Sequence, residues 1–228
     1  MQTIDLAVTP RRALNAALHA LPADTNETLW RVENPGGQHA LAVGLDAPIT
    51  VQIAGHAGYY CAGMNKHATV VIEGNAGVGV AENMMSGKVH VKGDASQSAG
   101  ATAHGGLLVI DGDASARCGI SMKGVDIVVK GSIGHMSAFM AQSGRLVVLG
   151  DAGDALGDSI YEAQLYVRGS VGSLGADCVE KPMREEHRQA LRGLLDAAGL
   201  DAVGVDEFRR YGSSRTLYNF HVDNAAAY

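Results

Sequence analysis

The chain has 228 residues, 46% hydrophobic and 18% charged, with 30 glycines, three cysteines and a formal net charge of −6. Such a chain can bury its own core, carries too much apolar residue for intrinsic disorder, and has the wrong sign of charge for a face that grips nucleic acid. Cys61, Cys118 and Cys178 are too few and odd in number for a disulfide framework, no apolar run approaches the ~20 residues of a membrane helix, and the N-terminus lacks a charged start followed by an apolar stretch, so a cytoplasmic protein is expected.

Residues 1–45 read as an N-terminal helix and lead-in cap. Thr9 offers a capping hydroxyl ahead of Pro10 at the first helical position, and Ala13, Leu14, Ala17, Leu18 and Leu21 follow at helical spacing, which predicts a helix from about residue 10 to 21. Trp30, Val32 and the turn Asn34-Pro35-Gly36-Gly37 then lead toward an incomplete first coil around Ala40 to Val43.

Residues 46–182 carry a repeat. Gly55, Gly74, Gly93, Gly112, Gly131, Gly150 and Gly169 are each separated by 19 residues. Four residues before each glycine stand Val51, Val70, Val89, Leu108, Ile127, Leu146 and Leu165, and two before stand Ile53, Ile72, Val91, Ile110, Val129, Val148 and Val167. The position after each glycine is polar, namely His56, Asn75, Asp94, Asp113, Ser132, Asp151 and Ser170, and the position seven after it is always Ala or Gly. A short alternating strand, a Gly-polar turn and a small residue, repeated without insertion, describe one coil of a parallel solenoid, because a single coil has no way to bury its own aliphatic face. The expected fold is all-β, a right-handed parallel β-helix of about seven 19-residue coils with N- and C-terminal helical flanks. A period of 19 is not divisible by six, which disfavours the hexapeptide prism. The glycines read as a structural turn ladder suited to positive φ, with the following Asx or Ser bonding nearby backbone.

Residues 183–228 form a C-terminal helix and an arginine/aromatic tail. Lys181-Pro182 ends the repeat, and Leu191, Leu194, Leu195 and Ala198 share one helical face ahead of Gly199. The stretch from Phe208 to Phe220 then holds four aromatics and three arginines. A solenoid needs its terminal core covered, so both flanks are expected to act as caps or to meet another chain.

No catalytic, cofactor-binding or metal-binding residue is expected in this chain. Cys61 and Cys118 share a column but lie three coils apart, roughly 14 Å, too far for one ion. His56, His67, His90, His104 and His135 occupy five different coil positions. Asp94 and Asp113 stack on neighbouring coils and would be the acid pair of a stand-alone β-helical carbohydrate-active enzyme, but their place in the polar ladder fits a turn.

The stretches Val51-Gln52-Ile53-Ala54-Gly55-His56-Ala57-Gly58, Val71-Ile72-Glu73-Gly74-Asn75-Ala76-Gly77 and Asn83-Met84-Met85-Ser86-Gly87-Lys88-Val89 resemble the GXGXG domain of glutamate synthase, a right-handed β-helix. The likeness covers about residues 49 to 180, although Gly93 and Gly112 open Gly-Asp-Ala-Ser and lack the second glycine. In its free-standing form the chain is similar to the separate β-helical subunits of N-methylglutamate synthases, whose complex converts methylamine and glutamate to N-methylglutamate and ammonia. That resemblance implies a glutamine amidotransferase-like partner and an FMN-binding glutamate-synthase-like partner carrying an iron–sulfur cluster, in a higher-order hetero-oligomer. It leads to Arg209, Tyr211, Arg215, Tyr218 and Phe220 as partner contacts. The rival resemblance is to the subunit of formylmethanofuran dehydrogenase that carries a similar domain, and a purely structural homo-oligomer is a further alternative.

Overall fold

Each strand of the repeat finds its partner 19 residues away. The computed structural model describes residues 1–216. Strands β3 (Thr50–Ile53), β4 (Thr69–Ile72), β5 (Lys88–Val91), β6 (Leu107–Ile110), β7 (Lys123–Val129), β8 (Ser143–Val148) and β9 (Gln164–Val167) pair in parallel, as in Val51↔Val70, Val70↔Val89 and Val89↔Leu108. A second parallel line runs through Ala57, Ala76, Ala95, Ala114, Ile133, Ala152 and Val171. The chain is therefore a parallel β-solenoid of about seven turns. Its interior is the two aliphatic columns, from Val51 and Ile53 to Leu165 and Val167, all fully buried; each such side chain is worth about 1.5–3 kcal/mol of burial.

The stack extends beyond the repeat at the N-terminal end. Strand β2 (Leu29–Glu33) joins β3 with Trp30 over Val51, and β1 (Gln2–Asp5) lies parallel to β2. The helix α1 (Arg11–His19) occupies the connection between them, with Leu14 and Leu18 buried in the solenoid core. Pro10, not Thr9, is the N-cap residue, and no side chain caps this helix. Asn15 instead faces the segment where the first coil was expected: its amide donates to the Ala40 carbonyl at 2.8 Å and its Oδ1 accepts from the Ala42 N–H at 3.0 Å. One side chain thus serves the backbone groups that a preceding coil would have served.

At the other end, two expectations need correction. Strand β11 (Arg209–Ser213) runs antiparallel along β9 and sits between it and β10 (Cys178–Lys181). The tail therefore begins as the closing strand of the sheet, with Tyr211 paired to Leu165 and only 2% exposed. Helix α2 (Glu185–Ala197) does not cap the end. Leu191, Leu194 and Leu195, with Phe208, pack on the outward-facing Val109, Val128, Val147 and Tyr166 of four successive coils. The signal was legible in that column, which reads Gln52, Val71, His90 and then Val109, Val128, Val147 and Tyr166. It turns apolar where the helix covers it. Lys88 reaches the far end of α2, donating to the Ala197 carbonyl at 3.1 Å.

The anchor glycines have a different cause from the one the sequence suggested. From Gly74 to Gly169 none has positive φ. The polar side chain of the preceding coil fills the place a Cβ would take: a Cβ on Gly93 would lie 2.1 Å from Asn75 Oδ1, on Gly112 2.1 Å from Asp94 Oδ1, and on Gly131 2.1 Å from Asp113 Oδ1. Those same oxygens accept backbone N–H groups one coil on, Asn75 from Asp94 at 3.0 Å, Asp94 from Asp113 at 2.9 Å and Asp113 from Ser132 at 2.7 Å. His56, Ser132 and Asp151 continue the ladder.

Left-handed backbone falls elsewhere, on columns five, seven and nine residues after the glycine. Tyr60, Ala62 and Met64 have φ of 60°, 55° and 55°. Tyr60 and Met64 donate forward to the Val78 and Glu82 carbonyls, while Ala62 donates back to Leu41, so the alternation sends N–H groups to both neighbouring coils. The always-small column is the middle of these three. From Ala62 to Gly157 it is buried as well as left-handed, so a long side chain is excluded twice; Ala176, in the last lap, is exposed and has no positive φ.

Gly112→Ala is expected to destabilise the protein by about 1–3 kcal/mol, and Asp94→Ala by about 1 kcal/mol. The double variant should lose less than the sum, because removing the carboxylate makes room for the methyl. Urea unfolding of the four proteins checks this, and strict additivity would contradict the shared-space explanation.

Candidate interaction surfaces

The polar columns leave little free reactivity along the rod. The Asp94 and Asp113 Oδ1 atoms are engaged by backbone N–H groups of the next coil, so both carboxylates act as turn ligands. Cys61, Cys118 and Cys178 are free and buried, and burial pushes each thiol up to about 12, far from the thiolate form needed for nucleophilic chemistry. Among the described residues no three His, Cys, Asp or Glu side chains gather as metal ligands. No described helix is long and apolar enough to cross a membrane.

One charged network lies on the outer face of the middle coils. Asp111 meets Lys130 at 2.7 Å, His90 at 2.9 Å and Lys92 at 3.7 Å. Partial burial raises its carboxyl, but the Lys130 and His90 hydrogen bonds outweigh that and hold it below the usual range. These residues stand one and three positions before the anchor glycines on three coils, so the network ties neighbouring coils across the sheet surface.

The residues expected to meet partners divide three ways. Arg209 is exposed, donates to the Gly169 carbonyl at 3.1 Å and lies over the Tyr211 ring at 6.0 Å. Arg215 is exposed and pairs with Glu162 at 2.9 Å. Tyr211 is inside, filling the end of the core, so its ring is not presented to a partner in this fold. Tyr218 and Phe220 lie outside the described residues.

Asp177 ties this end together, a role no sequence pattern announced. It accepts from the hydroxyls of Ser213, Ser214 and Thr216 and from the Thr216 N–H at 2.8 Å. Slight burial works to raise its carboxyl, yet these donors hold it far below the usual carboxylate range. The only clue was position: Asp177 follows the last repeat and has φ of 65°.

The large apolar side chains left exposed include Tyr59, Met64, Met85 and Met140 on the turn-bearing sides of the coils, with Leu174 and Val179 toward the closing end. Tyr59 stacks on His39 with ring centroids 4.4 Å apart. Isolated apolar groups of this kind are ordinary on a monomer surface, and they become informative only where a partner covers them.

A curated relative, Protein GlxC of Rhizobium meliloti (strain 1021), is 64% identical over 228 residues, spanning all of both chains. No family model matches the sequence.

Because the Asp177 carboxyl is lowered on folding, its contribution is complete above its unfolded value and is lost as pH falls below about 4. Asp177→Ala is expected to speed amide exchange at residues 213–216 at neutral pH, and wild-type protein should approach the variant's rates in acid. Identical exchange in the two proteins at pH 7 would contradict this role.

Proposed function

Because the chain belongs to the GlxC family, we propose that it is a structural subunit, without catalytic residues of its own, of a glutamate-synthase-like complex. Within that class we assign it to N-methylglutamate synthase, in which methylamine replaces the amino group of glutamate, giving N-methylglutamate and releasing ammonia, in the cytoplasm. In this reading the FMN and the iron–sulfur cluster belong to a partner subunit, and a glutamine amidotransferase-like subunit is the second partner. The solenoid holds the two in a fixed relation.

The observation that carries the reading is the condition of the polar groups along the coils. Carboxylates of the ladder accept backbone N–H groups, and the cysteines are buried. Side chains committed in this way make a stiff, regular body and leave the chemistry to other chains. Exposed Arg209 and Arg215 at the closing end are the proposed partner contacts, together with Tyr218 and Phe220 beyond the described residues.

Co-expression with an amidotransferase-like chain and a flavin-barrel chain is expected to give a stable three-component complex, with N-methylglutamate formation requiring all three. Arg209→Glu/Arg215→Glu should lower recovery of at least one partner. Turnover by the isolated chain, or co-purification with a molybdenum or tungsten enzyme instead, would overturn the proposal.

A further inference from the structure

Between α2 and the closing strands lies a cavity of about 350 Å³ whose walls include Glu162, Lys181, Arg184, His187, Arg210 and Arg215. Positive charge converges here in a chain whose overall charge is −6. Glu162 in its wall is paired with Arg215 at 2.9 Å, Asp177 is held by the Ser213 hydroxyl, and Glu186 lies 3.8 Å from both Arg184 and the His187 Nε2. Lys181 and Arg210 have no ion-pair partner among the described residues.

Arg210 is the more informative of the two. It is half-buried, its Nη1 reaches the Pro182 carbonyl only at 3.4 Å, its guanidinium lies beside the Tyr166 hydroxyl, and its Nε has no acceptor among the described residues. A half-buried guanidinium without a carboxylate partner keeps its terminal N–H groups for an oxygen entering the cleft. His187 adds a further donor. Its Nδ1 accepts the Arg184 N–H at 3.1 Å, so the neutral ring carries its proton on Nε2. Burial and the adjacent Arg210 charge disfavour the imidazolium, against the opposing pull of Glu186.

We propose that this cleft binds a small organic oxyanion, a carboxylate or a phosphate ester, with Arg210 and Lys181 as its principal cationic ligands and His187 as a neutral donor. The cavity is large enough for a short acid and is lined mainly by polar groups, which suits an anion of a few carbons. Every residue that builds the cleft lies within this chain, and one wall, Arg215, is also a proposed partner contact, so an anion held here would sit at the partner-facing end.

Isothermal titration of the full-length chain with glutarate and with inorganic phosphate, against sodium chloride at matched ionic strength, tests the assignment. Saturable one-to-one binding of either probe is expected, weakened about tenfold or more in Arg210→Gln and in Lys181→Gln. A response to glutarate alone identifies a carboxylate ligand, and a response to phosphate alone a phosphate ester. Lys181 lies at the rim, so Lys181→Gln carries the test if Arg210→Gln fails to fold, as judged by its melting transition. Equal affinity in the folded variants and the wild type, or no saturable binding beyond chloride, would overturn the proposal.

Discussion

A backbone N–H that leaves one coil of this protein must find its acceptor in an adjacent coil, about 4.8 Å along the axis. All else in the architecture follows from meeting that demand at every lap. On the strands, ordinary parallel pairing meets it, with Val70 over Val51 and Val89 over Val70. At the glycine turn a side chain meets it, as Asp94 accepts the Asp113 N–H and Asp113 that of Ser132. On the left-handed sides, alternating conformation sends successive N–H groups to opposite neighbours. Nineteen residues is the lap length at which the strands and glycine turns stay in register, while in the last lap the left-handed side slips by one residue and pairs Leu156 with Leu174.

The same demand explains both ends. A stack has two open edges, and each must be closed by something other than another coil. At the N-terminal end α1 supplies Asn15 to the backbone of residues 40 and 42 and covers the core with Leu14 and Leu18. At the other end the chain reverses, and β11 lies antiparallel on β9 with Tyr211 filling the last place in the column. Asp177 then holds the following residues by gathering their hydroxyls. Function is built from what remains: a rigid body of fixed length, an outer face on which α2 is already seated, and a basic cleft where that helix meets the closing strands. These features suit a component that sets the distance between other subunits.

Most of the solenoid was legible in the residues because its columns are repeated and each repetition reinforces the last. Val51 to Leu165 and Ile53 to Val167 stack as their 19-residue spacing requires. What was hidden is what happens once. The pairing of β1 with β2 spans an inserted helix, so no constant spacing announces it. The docking of α2 was written only as a change from Gln52 and His90 to Val109, Val147 and Tyr166, a gradient rather than a repeat. The glycines were placed correctly and explained wrongly. Absence of Cβ serves two purposes, left-handed backbone and close approach, and sequence alone does not distinguish them; the backbone angles assign the ladder from Gly74 onward to close approach. Tyr211 was legible as an aromatic near arginines but not as a core residue, since its burial depends on a chain reversal that follows a helix.

The most direct measurement is the excision of one complete lap. Deleting residues 75–93 removes 19 residues, joins Gly74 to Asp94 and restores every column, so a folded protein shorter by one coil is expected, with a cooperative melting transition and an unchanged β signature in circular dichroism. Deleting residues 75–92, one residue fewer, leaves a surplus residue in the joined lap that must bulge out of the ladder, and should melt well below the 19-residue deletion. Equal disruption by the two deletions, or equal tolerance of both, would contradict the claim that a lap of fixed length is the unit of this structure.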